Sequence, residues 1–168
     1  MKRDREPIAQ GVAVHYQPQR HLLKDRIILV TGASDGIGRE AALTYARYSA
    51  SVILLGRNDD KLRTVAQEIE REGGIPPRWF TLDLLTCTPQ ACQQLAQQIS
   101  MHYPRLDGVL HNAGLLGDIC PMEEQKPEVW QQVMQVNVNG TFMLTQALLP
   151  LLLRSESGSL VFTSSSVG

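Results

Sequence analysis

The stretch Ile27-Ile28-Leu29-Val30-Thr31-Gly32-Ala33-Ser34-Asp35-Gly36-Ile37-Gly38 decides the fold of this chain. Four consecutive apolar residues predict a buried strand, and the glycines predict a tight turn into a helix. The first turn of such a helix presents free backbone N–H groups and the positive end of the helix dipole, which suit a phosphate group. The glycine spacing is a weak signal by itself, but a second strand about 20 residues later strengthens it.

The composition is that of an ordinary globular domain, with 168 residues, 43% of them hydrophobic and 20% charged. A net charge of −1 gives no electrostatic basis for binding nucleic acid or an anionic membrane. The longest apolar run, Ala147 to Leu153, contains a proline and is far shorter than the roughly 20 residues that span a bilayer. We therefore expect neither a nucleic-acid partner nor a membrane.

The three cysteines, Cys87, Cys92 and Cys120, are odd in number and lack the spacing of a zinc site or a Cys-x-x-Cys redox motif. Reduced thiols that pack in the core are the simpler interpretation, which favours a cytoplasmic protein. No metal site is predicted.

Apolar runs alternate with helical patterns along the rest of the chain. Strands are predicted at Arg26–Thr31, Ser51–Gly56, Trp79–Leu84, Leu106–Asn112 and Ser159–Ser164, with helices at Gly36–Tyr48, Asp59–Glu72, Pro89–Tyr103 and Glu128–Arg154. The last helix is expected to bend near Pro150. This alternation predicts an α/β fold with a doubly wound parallel sheet of about five strands and helices on both faces. Residues 1–24 read as a loose leader, and residues 25–168 form the domain.

Ligands of such sheets bind at the carboxyl ends of the strands. The residues at these ends are therefore the candidates for a binding site. They are Gly32 to Gly38, Gly56 and Arg57, Asp83, Asn112 to Gly114, and Ser164 to Ser166.

Four motifs resemble those of the short-chain dehydrogenase/reductase family. Thr31 to Gly38 resembles its cofactor motif, and Asn112-Ala113-Gly114 resembles its Asn-Asn-Ala-Gly, with His111 in place of the first asparagine. Asn137 to Gly140 resembles the motif around an active-site asparagine, and Gly158 to Gly168 resembles the strand that carries a catalytic serine. The motifs occur in the family's order and spacing, and the resemblance covers roughly Leu23 to Gly168.

The resemblance implies a Rossmann-like domain and hydride transfer between a nicotinamide cofactor and a small alcohol or carbonyl substrate. Asn137 matches the asparagine that holds a water in the proton relay. Ser165 matches the serine that hydrogen-bonds the substrate oxygen, with Ser164 and Ser166 as alternatives. Asp83 matches an acceptor for the adenine amino group, to which the backbone of Leu84 also contributes. Cofactor contacts are implied at Gly32, Ser34, Asp35, Gly36, Ile37, Gly38, Asp83, Leu84, Asn112, Ala113 and Gly114.

The residues after the second strand bear on the choice between NADP(H) and NAD(H). An acidic residue there binds the ribose hydroxyls of NAD, whereas an arginine suits the extra phosphate of NADP. Gly56 and Arg57 follow this strand, and the planar guanidinium group of arginine matches a phosphate, so NADP(H) is favoured over NAD(H). Asp59 and Asp60 are close enough in sequence to oppose a phosphate. The alternative is that Arg57 is a solvated loop residue.

The family's tyrosine and lysine, in Tyr-x-x-x-Lys, have no match in this chain. The tyrosines are Tyr16, Tyr45, Tyr48 and Tyr103, and none has a lysine four residues later. We therefore expect an incomplete form of the enzyme that is inactive by itself. The resemblance also implies a possible homo-oligomer for the full-length protein, since family members commonly form one. The alternative is a non-catalytic dinucleotide-binding module. His111 is expected to be a packed core residue rather than a catalytic base.

Overall fold

The computed structural model describes residues 18–165, so most of the predicted leader and Ser166 lie outside the described residues. The strands are β1 Ile27–Thr31, β2 Ser51–Gly56, β3 Arg78–Thr81, β4 Gly108–His111 and β5 Ser159–Phe162. The α-helices are α1 Gly36–Arg47, α2 Asp59–Arg71, α3 Pro89–Ser100, α4 Pro127–Met134 and α5 Thr141–Leu152. A 3₁₀ turn, Met122–Glu124, precedes α4, and a π-helical segment, Gln135–Gly140, joins α4 to α5.

The five strands form one parallel sheet in the order β3-β2-β1-β4-β5. In the centre, Ile28 of β1 lies opposite Val52 of β2 and Gly108 of β4. This arrangement confirms the predicted α/β class with a doubly wound parallel sheet. The first three strands follow one another toward one edge of the sheet, whereas β4 and β5 lie on the other side of β1. The carboxyl ends of β1 and β4 therefore flank a crevice, where ligands of such sheets bind.

Each face of the sheet carries its own core. Val30 and Leu54 pack on one face with Leu43 of α1 and Leu62 of α2. Residues Leu29 and Ile53 point to the other face, together with Ile99 of α3 and with Leu144 and Leu148 of α5. Because successive strand residues alternate between faces, a strand covered on both sides must be apolar throughout. That requirement explains the unbroken apolar runs that predicted β1 and β2.

Side chains at the helix starts agree with the sequence patterns. Asn58 Oδ1 accepts from Lys61 N at 3.0 Å and caps α2. Thr88 Oγ1 accepts from Ala91 N at 3.2 Å and caps α3, with Pro89 in the first turn. Each cap pairs a backbone N–H that the helix itself leaves unpaired.

Several elements are two or three residues shorter than predicted, and the structure differs most from the prediction in two places. The third strand ends at Thr81. Leu82 beyond it still donates its N–H to Gly56 O at 2.9 Å, and Asp83 begins a turn. The single long helix expected over residues 128–154 is instead α4, the π-helical segment and α5 in succession, and α5 continues past Pro150 to Leu152. No helix within residues 18–165 is long and apolar enough to cross a membrane.

Candidate cofactor groove

A groove of about 690 Å³ lies at the carboxyl ends of the strands. Eleven of the predicted cofactor residues line it: Gly32, Ser34, Asp35, Gly36, Ile37, Arg57, Asp83, Leu84, Asn112, Ala113 and Gly114. The structure also places residues there that the sequence did not single out, among them Leu85, Leu115, Gln132, Val136 and Thr163. Gly38, Asn137 and Ser165 do not line it.

The glycine turn between β1 and α1 forms the floor of the groove. Gly32 has φ +65°, and a Cβ there would approach the backbone N of Ala113 to 3.0 Å. A Cβ on Gly38 would overlap the carbonyl oxygen of Gly32 and lie 2.6 Å from Asn112 Nδ2. A side chain is therefore strained at the first position and excluded by contact at the second. The absence of both side chains brings the start of α1 against the ends of β1 and β4.

The hydroxyl of Thr31 joins the ends of the two central strands. Thr31 Oγ1 accepts from the backbone N–H groups of Asn112 and Ala113, each at 3.0 Å. The side chain of Asn112 extends this connection to the end of β5, because its Oδ1 accepts from Thr163 Oγ1 at 3.1 Å. Thr31 is buried, so these bonds fix the groove's central wall.

Asp35 caps α1 and forms an ion pair with Lys61, a partner that the sequence pattern does not indicate. Its Oδ1 accepts from Gly36 N at 2.9 Å, and its Oδ2 lies 2.8 Å from Lys61 Nζ. These bonds, with that from Lys61 the strongest, hold the pKa of the Asp35 carboxyl below its usual range. Lys61 belongs to the first turn of α2, and only the fold brings it beside the glycine turn. Lys61 therefore pairs its charge with a carboxylate that lines the groove.

The exposed guanidinium of Arg57 lines the groove and makes no hydrogen bond or ion pair with residues 18–165. The nearby carboxylates have partners of their own. Asp59 accepts from Trp79 Nε1 at 2.9 Å and from Arg63 Nη2 at 2.8 Å, and Asp60 lies 3.7 Å from Arg63. Their negative charge is therefore partly neutralised, which weakens the objection that they would oppose a phosphate at Arg57.

Asp83 lies just beyond β3, the strand that pairs with β2, so it is on the same side of the groove as Arg57. It forms a turn with the residues that follow it. Its Oδ1 accepts from Leu85 N at 2.9 Å, and its backbone oxygen accepts from Thr86 N at 3.2 Å. Such an Asx turn fixes the direction of the carboxylate. In the described part of the chain, Oδ2 of this carboxylate makes no hydrogen bond.

The side chain of Asn137 holds the loop after β4. Its Oδ1 accepts from Leu115 N at 2.8 Å, and its Nδ2 donates to Leu115 O at 2.9 Å. Both polar atoms of the side-chain amide are thus engaged by one residue, Leu115, which itself lines the groove. Asn137 lies in the π-helical segment, a distortion that is frequent at functional sites.

Two other predicted residues lie beside the groove rather than in its lining. Ser165 is exposed and lies three residues beyond the end of β5. His111 is buried, stacks on Phe162 with ring centroids 5.0 Å apart, and has Nε2 2.9 Å from Thr145 Oγ1. Burial lowers the pKa of His111 to about 4, so the imidazole is neutral at neutral pH. The expectation of a packed core histidine is confirmed.

The cysteine prediction also agrees with the structure. Cys87 and Cys92 are buried, Cys120 is partly buried, and all three are free thiols. Within residues 18–165, no cluster of histidine, cysteine and acidic side chains could hold a metal ion.

The parallel sheet, the glycine turn before α1 and the groove at the strand ends define an α/β protein of the Rossmann-like class. A model of the short chain dehydrogenase family matches residues 26–168. The chain therefore belongs to the short chain dehydrogenase family.

Two relatives illustrate how far the similarity extends. The uncharacterized oxidoreductase YciK of Escherichia coli K12 is 77% identical over 155 residues, which are 92% of this chain and 62% of that protein. The 3-oxoacyl-acyl-carrier-protein reductase FabG of Thermotoga maritima is 30% identical over 146 residues, 87% of this chain and 58% of that protein. The chain thus spans about 60% of the length of these relatives.

Solved structures show the same fold. A short chain dehydrogenase structure from Shigella flexneri 2a, complexed with NADP, matches with a TM-score of 0.87 and 76% identity. One from Escherichia coli CFT073, complexed with NADPH, matches with a TM-score of 0.88 and 77% identity. In both cases the match covers 89% of this chain and 62% of the other.

Proposed function

We propose that this chain binds NADP(H) as part of an oxidoreductase that acts on a small alcohol or carbonyl compound. The observation that carries the proposal is the groove, in which a glycine turn at the start of α1 and an unpaired arginine line the same cavity. Two relatives of about three-quarters identity were solved with NADP or NADPH bound, which supports the same cofactor here.

The groove residues fit such a cofactor. The turn at Gly32 and Gly38 leaves no side chain between α1 and the strand ends, so a pyrophosphate can approach the helix N-terminus. Arg57 would bind the 2′-phosphate, and Asp83 with Leu84 would bind the adenine. The remaining predicted residues, Ser34, Asp35, Gly36, Ile37, Asn112, Ala113 and Gly114, would surround the phosphates and riboses. The bound nicotinamide supplies or accepts the hydride.

The catalytic assignments are part of this proposal. Ser165 would hydrogen-bond the substrate oxygen. Because Leu115 engages both polar atoms of the Asn137 side-chain amide, a relay water there would be held by the main chain of the π-helical segment. No Tyr-x-x-x-Lys occurs in the 168 residues, so we expect cofactor binding without turnover by this chain alone.

A homo-oligomer and a cytoplasmic location also belong to the proposal. Large apolar side chains on α5 are exposed, including Phe142 at 63% and Leu149 at 41%. Such a surface supports association between copies. The alternative of a non-catalytic dinucleotide-binding module is less well supported, because the relatives include a reductase and an oxidoreductase by name.

The cofactor assignment is tested by replacing Arg57 with alanine. Loss of the guanidinium removes a charge-assisted contact to the 2′-phosphate, so NADPH should bind at least about tenfold more weakly while NADH binding is unchanged. Nucleotide fluorescence titration of the 168-residue chain measures both affinities. Arg71→Ala, at the far end of α2, is the matched control and should change neither. An equal loss for NADPH and NADH would refute the role of Arg57.

A further inference from the structure

The peptide group between Leu84 and Leu85 is held at both of its polar ends. Its carbonyl oxygen accepts from Gln135 Nε2 at 3.1 Å and from Cys87 Sγ at 3.6 Å. Its N–H, on Leu85, donates to Asp83 Oδ1 at 2.9 Å. The π-helical segment is thus connected to the carboxylate of Asp83 through one peptide group.

The packing around this peptide leaves little room for another arrangement. Leu84 is only 6% exposed and belongs to the core cluster beneath α5. A Cβ on Gly140 would lie 2.9 Å from the Leu84 oxygen and 3.0 Å from its Cβ. The backbone of the π-helical segment therefore lies directly against the carbonyl that Gln135 binds.

The orientation of the Gln135 amide is set by a second contact. Gln135 Oε1 accepts from Asn139 Nδ2 at 3.4 Å, which directs Nε2 toward Leu84. Gln135 is half-buried, so the donor is shielded from competing water. In such surroundings, successive hydrogen bonds through a peptide group polarise and strengthen each other.

We propose that Gln135 is a positioning residue for Asp83, and through Asp83 for recognition of the adenine amino group. Gln135 fixes the Leu84 carbonyl, the same peptide presents the Leu85 N–H to Asp83 Oδ1, and Asp83 Oδ2 is left to accept from the nucleotide. Gln135 touches neither substrate nor cofactor in this role. The inference rests on the proposed function, since it assumes that Asp83 binds the adenine of NADP(H).

A nucleotide pair that differs only at the amino group tests this role. NADPH carries the adenine amino group, whereas its unsubstituted purine analogue has a hydrogen atom in its place. The 168-residue chain should bind NADPH about tenfold more tightly, the value of one hydrogen bond to a charged acceptor. The ratio of the two affinities is the readout, because a loss of folded protein weakens both equally.

Two variants of Gln135 alter the donor in different ways. Gln135→Leu removes it, and Gln135→Glu keeps the shape but places a carboxylate oxygen against the Leu84 carbonyl. Both should reduce the preference for NADPH to about twofold or less, mainly by weakening NADPH. The control Gln131→Leu, at an exposed position of α4 one turn earlier, should keep the full preference.

The outcomes separate this inference from the proposed function. An unchanged preference in both Gln135 variants overturns the positioning role and leaves NADP(H) binding intact. Equal binding of the two nucleotides by the unsubstituted chain also overturns it, since Asp83 then does not read the amino group. Failure of the unsubstituted chain to bind either nucleotide overturns both proposals.

Discussion

Asp107 is the most heavily hydrogen-bonded carboxylate among the described residues, and it lies at the start of β4, remote from the groove. Its side chain is 2% exposed and accepts from Arg105 Nε and from Ile27 N, each at 2.9 Å, and from Ser155 Oγ at 2.6 Å. Burial acts to raise the pKa of Asp107, but the bonds from Arg105, Ser155 and Ile27 outweigh it and lower the pKa to about 2. The ionised form therefore stabilises the junction of β1, β4 and the loop before β5.

This shift predicts a pH-dependent stability. Since folding lowers the pKa of Asp107 from 3.8 to about 2, its contribution is complete above about pH 5 and is lost as the pH falls toward 2. The contribution is about 2 kcal/mol. The free energy of unfolding of Asp107→Asn should differ most from that of the unsubstituted chain at neutral pH, and the difference should shrink steadily below pH 5. Urea unfolding at several pH values measures it.

The exposed carboxylate of Asp118 provides the control, because its side chain makes no hydrogen bond or ion pair within residues 18–165. Asp118→Asn should leave the unfolding free energy almost unchanged. A difference for Asp107→Asn that stays constant from pH 7 to pH 3 would show that the carboxylate does not titrate with a lowered pKa.

Residue types alone predicted part of the groove. Gly32, Arg57 and Asp83 were predicted because a glycine, arginine or aspartate at the end of a predicted strand indicates a ligand contact, and neighbouring residues suffice to recognise it. Lys61 and Gln135 were missed because each acts on a residue distant in sequence, Asp35 and Leu84 respectively. Nothing in the neighbourhood of either residue along the chain indicates these partners, which only the packing of α2 and of the π-helical segment creates.

At the level of elements, the contact between α1 and the central strands depends on Gly38. A methyl group there would overlap the Gly32 carbonyl and crowd Asn112 Nδ2. The Gly32 oxygen is backbone and cannot move without disturbing the glycine turn, so Gly38→Ala should destabilise the chain by at least about 2 kcal/mol. The same displacement of α1 should weaken NADPH binding. Urea unfolding and nucleotide titration measure the two effects.

Gly108→Ala is the matched control for this change. A Cβ on Gly108 would meet Ile28 side-chain carbons at 3.6 Å, an ordinary van der Waals distance. This variant should therefore keep its stability within about 0.5 kcal/mol and bind NADPH normally. A Gly38→Ala protein that is as stable as Gly108→Ala would contradict the close packing of α1.

The order and type of the elements could be predicted, but the interruption between α4 and α5 could not. Apolar periodicity shows that residues 128–154 are helical and does not distinguish an α-helical from a π-helical turn. The distortion at Gln135–Gly140 occurs with bonds to distant backbone, from Gln135 to Leu84 and from Asn137 to Leu115. Pro150 suggested a bend by its chemistry, whereas the irregular segment lies ten residues or more earlier and contains no proline.

Within residues 18–165, β5 ends the sheet, and its apolar side chains are in solvent. Val161 is 49% exposed and Phe162 is 55% exposed. Val161 also borders an apolar cleft of about 310 Å³ together with Ile28, Leu110 and Tyr45, on the face that α1 and α2 cover elsewhere. An unpaired edge strand beside an open apolar face is a template for association.

The 168-residue chain should therefore self-associate, and Val161→Lys should reduce the association. A lysine on the edge strand adds a charge that must stay hydrated, so it opposes pairing of β5 with another copy. Light scattering after size-exclusion chromatography should show oligomers or aggregates for the unsubstituted chain and a larger monomer fraction for Val161→Lys. Gln94→Lys, at an exposed position of α3, adds the same charge away from the edge and should leave the association unchanged. A monodisperse, cooperatively melting monomer without any substitution would show that the uncovered edge and cleft do not drive association.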